Sequence, residues 1–166
     1  MLELIKKRRS IREYTAEPIS EIHIRAMLEA AMAAPSANDR RPWEFIVVRR
    51  EDLRHSLAET HQWSDMCARA PLVFVICGEE RLSDHWVEDT SAATQNLLLA
   101  AAGLGLGAVW VGIYPRPSRE EQVRKLLGIP RELRVLCLVP VGHPAEFKPP
   151  HTKYDQLKVH YDQYGQ

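Results

Sequence analysis

Residues 96–112 read NLLLAAAGLGLGAVWVG, and the direction in which this apolar run is taken decides the fold. Glycines at 103, 105 and 107 invite comparison with the phosphate-binding turn of a dinucleotide fold. That turn needs G-x-G-x-x-G after a strand and before a helix. Here Ala108 occupies the third glycine position and the order is reversed, with helical character over Trp86 to Leu104 and strand character over Ala108 to Tyr114. The glycines read instead as a helix C-terminus packed closely on its neighbours. The second half of that helix is apolar on nearly every side and so must be covered on every side. In a chain of 166 residues, part of the cover is expected from a second subunit.

Outward from this run, helices and strands alternate. Met1 to Arg9 predicts a short helix with Leu2 and Ile5 on one side. Ser20 is placed to cap a second helix whose apolar stripe is Ile24, Met27, Leu28 and Ala31, and Pro35 ends it. Trp43 to Val48 predicts a strand, Glu51 to about Ala68 a helix, and Leu72 to Cys77 a buried strand after Pro71; Asp84 is placed to start the long helix. Downstream, SREE at Ser118–Glu121 has the form of a capping box, with the helix closing at Gly128. Arg134 to Gly142 predicts a strand buried on both faces. From His143 the chain turns polar but keeps Tyr154, Tyr161 and Tyr164, an arm expected to lie over something, such as the partner subunit. The pattern is a layered α/β or α+β fold in one domain over residues 1–166, and the lack of an N-terminal strand argues against a doubly wound sheet.

Lys and Arg number 22 and Asp and Glu 22, so the formal charge is zero. That balance argues against a surface built as a whole for nucleic acid or an anionic membrane, and makes any anion site local. Neither a secretory leader nor a membrane-spanning run is visible, and a cytoplasmic location is expected. Cys67, Cys77 and Cys137 are widely spaced without a C-x-x-C pair, and no H-x-x-x-H occurs among the seven histidines, so no metal site is expected. Cys77 and Cys137 read as core thiols.

Against this neutral background KRRSIREY, Lys7 to Tyr14, gathers Arg8, Arg9 and Arg12 around Ser10. Three readings stand. The cations complement a helix C-terminus, they form a nucleic-acid patch that lacks a second basic cluster, or Arg8, Arg12 and Ser10 supply forked donors and a hydroxyl to a phosphate monoester. APSANDRRPWEFIVV, Ala34 to Val48, offers small and amide side chains before Pro-Trp, which suits either a turn or the close approach of a planar ligand.

Taken together, R-R-S-x-R, A-P-S-x-N-x-x-x-P-W, G-L-G-x-x-W-x-G and the Gly142-His143-Pro144 turn resemble, in order and spacing, the flavin-dependent nitroreductase family, over about Leu2 to Gly165. The resemblance implies an α+β fold with a central, mainly antiparallel sheet, an intertwined homodimer, and two FMN molecules bound between subunits. It places Arg8, Arg9 and Ser10 at the FMN phosphate, Arg9 through its backbone. Arg12 falls at the pyrimidine edge as electrostatic support. Pro35, Ser36, Ala37, Asn38 and Asp39 come from the other subunit, Trp110, Val111 and Gly112 run along the ring, and Lys153 stands where relatives carry a phosphate-binding arginine. Asp39 and Arg41 stand where many relatives have asparagine and glutamine, and are free to pair with each other. Trp43 is expected in the core, and Trp110 either there or on the ring slot. The implied activity is FMN-dependent reduction of nitroaromatic or quinone-type acceptors by NADH or NADPH, in ping-pong fashion with no protein nucleophile. A related dehalogenase or flavin-fragmenting enzyme, or a flavin-binding redox sensor without efficient turnover, are the alternatives.

Overall fold

LRVLCLVPVG at Leu133–Gly142 is apolar on both faces, and in the computed structural model, which describes residues 1–165, it forms strand β5 in the interior of a five-stranded sheet. The other strands are β1 (Trp43–Val48), β2 (Leu72–Glu79), β3 (Gly107–Ala108) and β4 (Val111–Gly112). Their order is β1-β2-β5-β3, with β4 also on β5, and every pairing is antiparallel. The helices are α1 (Leu2–Lys7), α2 (Glu21–Met32), α3 (Glu51–Ala58), α4 (Met66–Arg69), α5 (Trp86–Gly103) and α6 (Pro117–Leu127). The fold is α+β with an antiparallel sheet.

Two apolar layers bury the sheet. On one face Met27 and Ala31 of α2 and Ala93, Leu97 and Ala101 of α5 pack with Phe74, Ile76, Leu136 and Val139. On the other, Leu57, Met66 and Val123 pack with Val73, Val75, Val135 and Leu138. Trp43 and all three cysteines are buried, and burial pushes the Cys67 and Cys77 thiols up to about 12. Among the described residues no helix is long and apolar enough to cross a membrane.

Local chemistry explains where the elements begin and end. Ser20 Oγ accepts the His23 N–H and starts α2, and Gly128 in the left-handed region (φ 66°) closes α6. The helix expected over Glu51 to Ala68 is instead two, because hydroxyls capture the backbone between them. Thr60 Oγ1 donates to the Leu57 carbonyl (2.7 Å), and Ser64 Oγ donates to Ala58 (2.8 Å) and His61 (2.6 Å). The capping box at Ser118–Glu121 does not form. Pro117 already occupies the first turn, Arg116 is the cap residue, Glu121 pairs with Arg124 and Lys125, and Glu120 turns into the protein. The long helix is capped at His85 rather than Asp84. The strand expected over Ala108 to Tyr114 is broken into β3 and β4. Their common register sets Val109 opposite Pro140, which has no N–H for the ladder.

Candidate functional site

Helix α1 ends at Lys7, short of the expected Arg9, and Arg8 is already extended (φ −60°, ψ 116°). Residues 8–15 then run as a strap beside β3. Ser10 bridges Ala108 in parallel sense, and Ile11 N–H donates to the Ala108 carbonyl at 3.0 Å. This approach is why residue 107 is glycine, since a Cβ there would lie 2.5 Å from Ile11 Cγ2. Tyr14 anchors the far end, its hydroxyl donating to the carbonyls of Ile11 (2.5 Å) and Pro140 (3.2 Å) and its ring lying against Gly142.

The first part of the C-terminal arm lies along the other edge of the strap, within the same chain. Thr15 N–H donates to His143, Ala145 N–H to Glu13 (both 2.9 Å), and His151 N–H to Lys6 (3.2 Å). Glu146 accepts the Arg12 N–H at 2.6 Å and Lys148 Nζ at 2.9 Å, Lys148 also donates to the Ser10 carbonyl at 2.7 Å, and Arg9 donates to the Pro149 carbonyl. Tyr154, Tyr161 and Tyr164, further along, are exposed.

Two clefts of about 300 Å³ each open on the strap. One is lined by Lys7, Arg8, Arg9, Glu146, Phe147, Lys148 and Pro150 with Leu98, Leu106 and Ala108 beneath. The other brings Arg12 together with Trp110, Val111 and Gly112, and adds His61, Trp63, Asp65 and Met66 from the α3–α4 connection. Trp110 packs on the core and also lines this cleft. Burial and the Arg119 guanidinium hold His61 below the ordinary histidine pKa.

Positive charge at the first cleft is poorly compensated. Neither the Arg8 guanidinium nor the Ser10 hydroxyl has a partner among the described residues. His151 Nδ1 is shut off from solvent and has no hydrogen-bond partner, and Arg8, Arg9 and Lys153 are the charges that act on its ring. Such a constellation accepts an anion with several oxygens.

Pro35, Ser36, Ala37, Asn38 and Asp39 are not brought to either cleft. They sit between α2 and β1, against the start of α5, where Ala37 N–H donates to Asp89 Oδ1 at 2.9 Å and Ser83 Oγ donates to Asp89 Oδ2 at 2.8 Å. Asn38, Asp39 and Arg41 all have positive φ (52°, 54° and 48°), and Ser36 Oγ accepts the Arg41 N–H at 2.9 Å. Asp39 and Arg41 do pair, at 3.2 Å and in solvent.

Sequence reasoning missed Asp89, Glu146, Lys148 and His151. The buried Asp89 carboxylate that pins the 35–39 loop had a trace in the sequence, as one of two acids, with Glu88, in the first turn of a helix whose second half is apolar. Glu146 and Lys148 pair with each other two residues apart, but their partners in the strap, the Arg12 N–H and the Ser10 carbonyl, lie more than 130 residues away and left no trace.

The model of the nitroreductase family matches residues 5–64 and 56–143 of this chain. A Methanothermobacter thermautotrophicus protein, provisionally named NADH dehydrogenase/NAD(P)H nitroreductase, is 41% identical over 99% of this chain and 87% of its own length. An FMN-dependent nitroreductase of Clostridium difficile superposes with a TM-score of 0.95 at 31% identity, covering 99% of this chain and 100% of that one. A provisionally assigned Desulfovibrio desulfuricans nitroreductase, solved in complex with FMN, superposes with a TM-score of 0.83 at 29% identity, covering 98% and 96%. By sequence and by fold, the chain belongs to the nitroreductase family.

Proposed function

We propose that this chain is an FMN-dependent NAD(P)H oxidoreductase that reduces nitroaromatic or quinone-type acceptors, working as a homodimer. The observation that carries the reading is the cationic excess of the first cleft, where Lys7, Arg8, Arg9 and Lys148 outnumber Glu146 and the Arg8 guanidinium has no partner among the described residues. These groups fit a phosphate monoester, and FMN is what two of the family's solved members hold or depend on by name.

In this reading Arg8, Arg9, Ser10 and Lys153 hold the phosphate. Trp110, Val111 and Gly112 run along the ring, and Arg12, on the same cleft, places positive charge at the edge where electron density gathers on reduction. Glu146 fixes the Arg12 backbone, and the guanidinium, which donates to the Ser10 carbonyl at a long 3.5 Å, lies on the cleft. Bound FMN supplies acceptance of hydride from a reduced nicotinamide and its return to an oxidised acceptor, in two successive half-reactions. The chain's task is to orient and to shield, and no side chain is required as a nucleophile.

Pro35 to Asp39 do not reach this cleft in their own chain, and they close it from a second copy. Support for that copy comes from an apolar groove of about 360 Å³ between α1, α2 and α5, lined by Leu4, Ala30, Ala33, Leu99 and Ala100, with Met1, Leu2, Ile5, Ile22 and Met32 exposed nearby. The exposed tyrosines of the arm dock on the same partner.

The test uses purified protein with FMN under anaerobic conditions. NADH or NADPH bleaches the flavin absorption, and a quinone or nitroaromatic then restores it. Uptake of FMN without bleaching would leave a flavin-binding sensor, and failure to take up FMN would remove the cofactor assignment.

A further inference from the structure

The cleft that holds Arg12, Trp110 and Gly112 has a second border, the α3–α4 connection, in which His61 is held by hydrogen bonds from both ring and backbone. The Trp63 backbone N–H donates to His61 Nδ1 at 2.7 Å. The His61 N–H donates to Ser64 Oγ at 3.1 Å, and the His61 carbonyl accepts the Ser64 N–H at 3.0 Å. A ring nitrogen that accepts an N–H carries no proton, so the neutral imidazole has its proton on Nε2. Nε2 has no partner among the described residues and is not enclosed. Burial and then the Arg119 guanidinium hold the ring below the ordinary value of 6.5, which keeps it uncharged at neutral pH. The charged side chains that line the cleft beside it are Arg12 and Asp65, and Asp65 is engaged by Arg69 at 2.9 Å. His61 is thus an uncharged N–H donor of fixed tautomer on the border of the cleft, with no protein oxygen to bond. A donor of this kind suits an oxygen that arrives with a ligand, and it polarises that oxygen without surrendering a proton.

Resting on the flavin reading above, we propose that His61 is the hydrogen-bond donor for the electron acceptor, its Nε2–H binding the carbonyl or nitro oxygen of a quinone or nitroaromatic in the flavin cleft. In the oxidative half-reaction the acceptor takes a hydride, with its electron pair, from the reduced cofactor and one proton from solvent. A quinone becomes its hydroquinone, a nitro group becomes a nitroso group and water, and the cofactor returns to its oxidised form. His61 keeps its own proton throughout. Its part is to stabilise the negative charge that gathers on the acceptor oxygen before the solvent proton arrives.

Two amides divide the jobs of the histidine. Asparagine at 61 sets a carbonyl oxygen near the place of Nδ1 and holds the Trp63 N–H, glutamine sets an N–H near the place of Nε2, and leucine removes both. The experiment uses the FMN-loaded protein and duroquinone, which the oxidised flavin leaves unchanged. In infrared difference spectra with isotope-labelled quinone carbonyls, the bound carbonyl stretch lies at lower frequency in wild type and His61→Gln than in His61→Leu and His61→Asn. When reduced holoprotein is mixed with subsaturating duroquinone, flavin reoxidation slows about tenfold in His61→Leu and His61→Asn, the scale of one hydrogen bond, and is largely kept in His61→Gln. The FMN Kd is alike in all four proteins. Rescue by His61→Asn in place of His61→Gln would make the histidine a pin for its loop and overturn the inference. The same carbonyl frequency in wild type and His61→Leu would also overturn it. Both results leave the flavin reading intact, whereas failure of the wild type to take up FMN would remove that reading and the inference with it.

Discussion

Two clusters of charge in this molecule are built in opposite ways. At the start of β5, Arg134 donates to both oxygens of the buried Glu120 (3.0 and 2.8 Å) and to Glu80 (2.7 Å), and lies over the rings of Trp86 and Tyr114 at 5.5 and 5.2 Å. Glu120 also accepts the Val135 N–H at 3.0 Å, and the carboxylates beside it raise the Arg134 pKa further. Every charge there is closed on another. At the strap, Lys7, Arg8, Arg9 and Lys148 line one cleft with Glu146 alone against them. Mutual closure makes a cluster part of the fold, whereas crowding without a full counter-charge costs stability and marks a place where the counter-charge arrives from outside.

The sharpest way to break this comparison is to open the closed cluster. Glu120→Ala leaves Arg134 half-shielded and strips the Val135 N–H of its acceptor. We expect a loss of about 2 to 4 kcal/mol in unfolding free energy by urea titration, with FMN affinity unchanged. A loss below about 1 kcal/mol would place Glu120 among ordinary surface pairs.

Arg8→Ala has the reverse signature. Arg8 has no internal partner, so unfolding free energy stays within about 0.5 kcal/mol of wild type. FMN binding weakens by about 1.5 to 3 kcal/mol, the scale of a hydrogen bond to a charged group. Unchanged affinity would return the strap to the role of a solvated helix end. The two substitutions together dissociate stability from binding, which neither does alone.

Local chemistry was legible and long-range pairing was not. The strand at Trp43–Val48, the Ser20 cap and the Gly128 terminus follow from residue types acting within a few positions. The errors arose where a side chain had a better partner than the local one. Glu120 left its helix terminus for Arg134, Ser64 took backbone groups that a continuous helix would have used, and Pro140 interrupted a strand more than twenty-five residues before it. At the site, Arg12, Trp110, Val111 and Gly112 line one cleft. His151 escaped notice because what distinguishes it is an unpartnered atom, and that is a property of the enclosure and not of the sequence.

Glu146 carries the smallest effect and tests the boundary between the two kinds of cluster, because its carboxylate accepts the Arg12 N–H of the strap and also lines the first cleft. Its carboxyl is held below the ordinary value of 4.5 first by the Arg12 N–H and then by Lys148. A depressed folded pKa stabilises the protein above the unfolded value, and that contribution disappears as pH falls through the folded one. With part of the side chain exposed, solvent limits the contribution to about 1 kcal/mol or less. Glu146→Gln is therefore destabilised slightly at pH 7, and its difference from wild type in urea titrations shrinks below pH 4.5 toward nothing. A difference that persisted in acid would mean that shape, not charge, holds the arm to the strap. Because Glu146 lines the same cleft as Arg8 and Arg9, the variant removes a negative charge there while keeping an acceptor for the Arg12 N–H, and its FMN affinity at pH 7 equals or exceeds that of the wild type.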